Sequence, residues 1–377
     1  MLIALGCVIA VSAVCSAHSD FAAEVVTSSG PFGGDPYNDP QSVIGKPTTE
    51  VNDLGMPPFT PPGVHTPSLA YPAAFTDCSG GKLVVTLGQG AEVIVRFDHR
   101  VIDHPGNWYG RDFIVYGNAF FEADNLVQTD TDMEDLHLTN GTVNAEPISV
   151  SVSSDGLNWL EYDNGPYADS FFPTNPFKWD RQRSTWGTEL DWTKPVDPSL
   201  SSADFAGLSV ADAIDLYAGS AGGTSFDLQD LPDGGYSQLD STEITLSNGQ
   251  VIQCKYIQYV KVASAGSVAG EVDGLSDVAA DPSFDPGPIP GDLNSDGFVG
   301  SADLDIVLDH WGQIVPAGNI LMGDASGDGF VGQDDLDVVL DHWGQGTIPP
   351  EAGQATHSEV KATAMSRSFC THPGPGL

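Results

Sequence analysis

GDLNSDGFVGSADLDIVLDHWGQ (291–313) is followed by GDASGDGFVGQDDLDVVLDHWGQ (323–345), identical at 17 of 23 positions and offset by 32 residues. A duplicated segment of this size is one supersecondary unit used twice. Positions 1, 3, 5 and 12 of a loop hold Asp292, Asn294, Asp296 and Asp303 in the first copy, and Asp324, Ser326, Asp328 and Asp335 in the second. Ca²⁺ takes about six to eight oxygen ligands, and a 12-residue loop encloses it only by turning sharply at position 6. Gly297 and Gly329 stand there, where a positive φ costs nothing. Phe298 and Phe330, at position 7, would add backbone carbonyls, with side chains expected to point into the core. Gly300 and Gly332, at position 9, leave that ligand slot to water.

Helical spacing follows each loop. Leu304, Val307, Leu308 and Trp311 sit at i, i+3, i+4 and i+7, and Leu336, Val339, Leu340 and Trp343 repeat them. Gly312 and Gly344 then stop the helices. A duplicated loop–helix with Asp at position 12 and no helix before the loop resembles a dockerin domain, over 291–345. The resemblance implies two calcium ions, approximate twofold packing, calcium-dependent folding and docking onto a cohesin-type partner. Dockerins of cellulosomes often carry Ser-Thr at positions 10 and 11 and a basic pair in the helix. Here the first positions read Ser301-Ala302 and Gln333-Asp334, and the basic pair is replaced by Leu308-Asp309 and Leu340-Asp341. Calcium binding carries over; the cellulosomal partner preference does not. Longer reach favours Asn294 over Ser326, so the second loop is expected to hold calcium less tightly.

Outward from the repeat, DPSFDPGPIP (281–290) reads as a stiff Pro-rich linker. The tail 346–377, with PGPG near its end, reads as disordered. Upstream, LVVTLG (83–88), AEVIVRFD (91–98), FIVYG (113–117), STEITLS (241–247), CKYIQYVKVAS (254–264) and VDGLSDVAA (272–280) read as strands. ISVSVSSDGLNWLEY (148–162) is two runs around Asp155-Gly156, a hairpin signal. SVADAIDLYAG (209–219) reads as one short helix between Ser209 and Gly219, and 24–80 as turns and loops. Residues 24–280 are therefore expected to form a mainly β module, an antiparallel β-sandwich of jelly-roll type, ahead of a small all-α repeat. The hairpin and the YIQYVKV strand are similar to strands of discoidin-like, galactose-binding-like modules. FIVYGNAF is also similar to a strand of a loosely defined group of secreted surface proteins.

No Gly-x-Ser-x-Gly elbow, phosphate loop or His-Glu-x-x-His helix occurs. His99, His104 and His137 read as surface or capping residues. Glu189 and Asp191, near Trp186 and Trp192, form the best carboxylate pair for glycoside hydrolysis, as alternating strand residues about 7 Å apart. The alternative is a solvated acidic edge, so no catalytic residue is assigned. KWDRQRSTWGTELDW (178–192) collects three tryptophans with Arg181 and Arg183, suited to a glycan or an acidic polymer, or else to closing a core. Trp108, Tyr109 and Arg111 form a smaller cluster of the same kind. Asp130, Asp132, Glu134 and Asp135 offer a third calcium site or a plain acidic loop.

Lys and Arg total 13 against 52 Asp and Glu, a net charge of −39. Such a surface repels phosphate backbones and anionic bilayers, which excludes nucleic acid as a partner class. MLIALGCVIAVSAVCSA (1–17) reads as a secretory signal, against a short anchor or a lipoprotein, and its lack of a basic residue suggests a start upstream. No later stretch is apolar enough to span a bilayer. Cys78 and Cys254 are either bridged or two buried thiols. The expected protein is secreted, at the cell exterior or surface: a cohesin-docking calcium module carrying a glycan- or surface-binding sandwich. The alternative cargo is a polysaccharide-degrading hydrolase or lyase.

Overall fold

The computed structural model describes residues 19–47, 68–71, 83–128, 131–266 and 269–346. The segment 1–17 read as a secretory signal, Cys78, Asp130 and nearly all of the tail lie outside these residues. The chain divides into two compact units, Met1–Asp240 with Lys255–Asp281 and Ser241–Cys254 with Pro282–Leu377. The segment 241–254, expected to belong with the β module, thus groups with the repeat.

The strands are β1 (Glu24–Ser29), β2 (Val85–Leu87), β3 (Glu92–Ile102), β4 (Phe113–Tyr116), β5 (Phe120–Ala123), β6 (Leu138–Asn144), β7 (Ile148–Ser153), β8 (Leu160–Glu161), β9 (Phe177–Asp180), β10 (Thr185–Glu189), β11 (Thr224–Phe226), β12 (Ser241–Thr245), β13 (Val251–Ser264), β14 (Gly270–Val272) and β15 (Gly274–Asp277). The helices are α1 (Ser202–Phe205), α2 (Val210–Leu216), α3 (Gly235–Gln238), α4 (Ser301–Asp309) and α5 (Gln333–Asp341).

The fold is mainly β with antiparallel sheets, and among the described residues no sheet closes into a barrel. The largest sheet runs β1-β3-β13-β7-β8, with β12 paired to β13. A second sheet runs β11-β4-β15, and β14-β2, β5-β6 and β9-β10 are two-stranded. Val93, Val95 and Phe97 on β3, Val260 and Val262 on β13 and Val150 and Val152 on β7 share one core with Phe113, Val115 and Phe226 of the second sheet. Alternation along each strand directs these side chains to one face.

β4 differs, because all four of its residues are buried. Phe113 and Val115 enter the first core, while Ile114 and Tyr116 enter a second one with Phe121, Phe205, Trp179 and Trp192. A continuous apolar run is what burial on both faces demands. Within the second core, α2 begins at Ser209, whose hydroxyl accepts the Asp212 N–H at 3.0 Å. It ends in left-handed backbone at Ala218 and Gly219.

Two departures from expectation concern strands. β1 lies in the stretch read as loops; it is an exposed edge strand held by pairing to β3, so it carries no apolar alternation. β5 and β6 pair across a long connection rather than a tight turn, so no local turn signal marks them.

His99 ties the two sheets together. Its ring Nε2 lies 2.8 Å from Asp277 on β15 and its Nδ1 3.0 Å from Asp98. The hydrogen bond to Asp277 outweighs partial burial and, with Asp98, raises its pKa from 6.5 to about 9. The protonated form is therefore bound by the fold. Its stabilisation is full below pH 6.5 and fades as pH rises through about 9. At about 1.4 kcal/mol per unit, reduced for partial exposure, the loss is roughly 1–3 kcal/mol. Urea melts of the wild type and His99→Gln between these pH values check this: the variant is expected to lack that part of the slope.

Candidate metal loops and a tryptophan-lined cleft

Both duplicated loops turn where expected, with φ of +83° at Gly297 and at Gly329. Each copy's loop hydrogen-bonds to the helix exit of the other copy. Gly312 N–H donates to Val331 O at 2.8 Å and Val331 N–H to Gln313 O at 2.9 Å. Reciprocally, Val299 N–H donates to Gln345 O and Gly344 N–H to Val299 O, both at 2.9 Å. Val299, Val331, Leu304, Val307 and Val339 fill a small core together with Ile289, at the end of the Pro-rich stretch.

The position-12 carboxylates also cap the helices. Gly300 N–H donates to Asp303 Oδ2 at 2.8 Å, and Gly332 N–H to Asp335 Oδ2 at 2.7 Å. Oδ1 of Asp303 accepts from Leu293 N–H, and Oδ1 of Asp335 from Ser326 N–H. At position 1, Asp292 accepts from Asp296 N–H and Gly297 N–H, and Asp324 from Gly318, Gly327 and Gly329 N–H. Burial raises the carboxyl of Asp303 despite these donors. For Asp324 burial pushes upward too, but the backbone donors outweigh it and the net shift is downward.

The loops differ in their third carboxylate. Oxygens of Asp324, Asp328 and Asp335 lie within 4.8 Å of one another. That is the spread one Ca²⁺ spans with bonds of about 2.3–2.6 Å. In the first loop Asn294 Nδ2 donates to Asp296 Oδ2 at 3.0 Å, which draws that carboxylate to its neighbour. Ser326 has no amide to do the same. The donor set of oxygens fits calcium in both loops, but pre-alignment favours the second, against the order suggested by arm length. Calorimetric titration is expected to show the second site filling first; a tighter first loop would make the reach of Asn294 decisive.

Position 7 requires a correction: Phe330 is 48% exposed rather than in the core, and Phe298 is half-buried. Each precedes a buried Val, and strand-like alternation turns it outward. Trp311, beyond the end of α4, is likewise exposed, while Trp343 packs against the repeat core.

In the β-rich unit, the 131–135 loop serves the β9–β10 hairpin. Asp132 accepts from Trp179 Nε1 at 3.1 Å and from the Ser184 hydroxyl. The Ser184 bond, with the Glu134 N–H, holds its carboxyl below the usual range. Among the described residues of this unit, Glu146, Asp169 and Glu271 converge instead, with oxygens also within 4.8 Å of one another. Burial pushes Asp169 up to about 7 and raises Glu271 as well. Asp169 accepts from Ala119 N–H and Glu271 N–H, and Glu271 Oε2 is buried without a partner. These residues are too far apart in sequence for any spacing rule to find them.

Glu189 and Asp191 each have partners of their own. β10 ends at Glu189, so the two do not alternate along one strand. Glu189 accepts from Trp192 Nε1 at 2.6 Å and pairs with Lys46. Burial pushes its carboxyl up, but Lys46 and Trp192 outweigh this and hold it below the usual range, which disfavours general-acid work. Asp191 Oδ1 accepts from the Thr193 N–H and hydroxyl. In the smaller cluster, Lys194 Nζ sits 4.1 Å from the Trp108 ring centroid and Arg111 pairs with Asp230. His137 Nδ1 donates to the Asp135 carbonyl at 3.1 Å, and Cys254 is buried.

The tryptophans of 178–192 divide. Trp179 and Trp192 are buried in the second core, whereas Trp186 is half-buried and lines a cleft of about 570 Å³ over the hairpin. Trp186 and Trp179 are cross-strand partners, with ring centroids 5.2 Å apart at 80°. Neither a protein-family model nor a curated protein matches this chain.

Proposed function

We propose that residues 291–345 are a dockerin-type module, ordered by two calcium ions, that docks the chain onto a cohesin-type partner at the cell exterior. The β-rich unit, which we assign to a jelly-roll-type sandwich, is the cargo. The observation that carries this reading is the pair of glycine-turned acidic loops, each followed by a helix whose first turn its own position-12 carboxylate caps. An apolar surface for a partner supports it. Trp311 is 46%, Ile314 87% and Leu321 67% exposed, and Ile314 is bridged to the exposed Phe330. Exposed apolar patches with polar surroundings mark contact sites. The same unit exposes Asp305, Asp309 and Asp341, so the face it fits is basic.

Surface plasmon resonance of the full chain against a panel of cohesin modules tests this. Binding is expected in calcium and not in EGTA. Ile314→Asp with Leu321→Asp is expected to weaken it by about 30-fold or more, the loss of a central contact of about 2 kcal/mol. Binding to none of the panel in calcium, or binding unchanged by EGTA, counts against docking.

A further inference from the structure

We propose that the cleft over β9–β10 binds an uncharged polysaccharide chain, stacked on Trp186. This site is separate from the repeat and does not depend on the docking reading.

The hairpin is braced before any ligand arrives. Arg181 donates to Glu134 at 2.9 Å, Asp212 at 2.7 Å and Asp215 at 2.8 Å, which fixes the turn to α2 and to the 131–135 loop. Asp180 accepts from the Gln182 and Arg183 N–H groups and from Arg183 Nη1 at 3.0 Å. Trp179 is anchored to Asp132 and supports Trp186 from the side. A braced platform loses little entropy on binding.

The lining selects the ligand class. Trp186 with the largely buried Trp179 beside it, Gln182, Thr185, Thr188 and Lys178 surround a volume of about 570 Å³. Ligand clefts run from about 300 to 1,000 Å³. The electron-rich indole face suits the C–H face of a pyranose ring, and the amide, hydroxyl and ammonium groups suit its hydroxyls.

Charge decides between neutral and acidic chains. Arg181 is spent on three carboxylates and Arg183 on Asp180, so Lys178 is the lining cation with no ion pair among the described residues. Asp180 and Asp215 also line the cleft, in a chain of net charge −39. Glu134 and Asp212, which pair with Arg181, bring the carboxylates at the hairpin to four against three cations, so a uronate or sulfated chain gains no net attraction there, although a stretch with three basic residues suggests the opposite at first reading.

Calorimetry of the full chain with cellohexaose, xylohexaose, mannohexaose and hexagalacturonate tests the proposal. At least one neutral hexamer is expected to bind, and more tightly than hexagalacturonate. Trp186→Ala is expected to weaken that hexamer by about tenfold, and Trp186→Phe by about threefold. Because Trp186 leans on the core, the exposed Lys178→Ala serves as a second variant, with an expected loss of about threefold. Each variant is expected to keep the wild-type calcium titration, so failure here is distinguishable from failure of docking. Binding to no neutral hexamer, preference for hexagalacturonate, or unchanged affinity in folded Trp186→Ala would overturn it.

Discussion

Excess EGTA is expected to abolish the helical circular dichroism of α4 and α5 and to open 291–346 to protease, while the β signal persists. The reasoning starts from size. The repeat core consists of Ile289, Leu293, Val299, Leu304, Val307, Val315, Val331 and Val339, mostly valines. Domains of about 60 residues are marginal and commonly depend on a metal or a disulfide. Each helix has nine residues, below the roughly 12–15 at which an isolated helix begins to hold. Against this small gain stand Asp292, Asp303, Asp324 and Asp335, all buried. Buried carboxylates are costly unless hydrogen-bonded and paired with a cation. Backbone N–H groups satisfy their lone pairs, and calcium would supply the opposite charge.

Asp335→Asn separates the two roles of that side chain. The amide oxygen still accepts from Gly332 N–H, so the helix cap is largely kept, but the charge and the bond from Ser326 N–H are gone. Calcium affinity at the second loop is expected to fall by more than about 100-fold, beyond the 10–100-fold typical of outer-shell changes. The melting point of the β-rich unit is expected not to move. Ellipticity and protease resistance that survive EGTA would remove metal as the source of order.

Why these loops are legible in sequence is physical. The ligands of a 12-residue cage are consecutive, its turn needs glycine, and its helix needs one apolar stripe, so all the information is local. The same locality misled at Phe330 and Trp311, whose exposure depends on which neighbour remains to cover them. FIVY could be read as a strand, but its position between two cores is a property of what packs on either side. β1 has the sequence of a loop because its order comes from β3. Trp179 and Trp186 look equivalent in sequence and share one face of the hairpin, yet packing against the second core buries the first and leaves the second half-buried at the cleft. Glu146, Asp169 and Glu271 converge only through tertiary structure, so nothing in the sequence announces them.

Phe226→Ala is expected to destabilise the β-rich unit by about 3–5 kcal/mol, the range for an aromatic truncated in a core. Phe226 is fully buried and pairs across the ladder with Phe113, their rings stacked at 4.9 Å and 8°. Tyr162 closes the other side at 5.1 Å, with its hydroxyl donating to Asp227 O at 2.9 Å. Collapse into the cavity is restricted, because Phe113 is held by β4 and Tyr162 by its hydrogen bond. At about 2–4 °C per kcal/mol for a unit of this size, the melting point is expected to drop by roughly 10 °C. Phe226→Leu keeps most of the volume and loses mainly the stacked face, so a cost nearer 1.5 kcal/mol is expected. A comparable loss from both variants would place the stability in the ring contact, and a small loss from both would mean that the sheets close over the gap. The graded result, large for Ala and modest for Leu, is what a rigid junction between the two sheets requires.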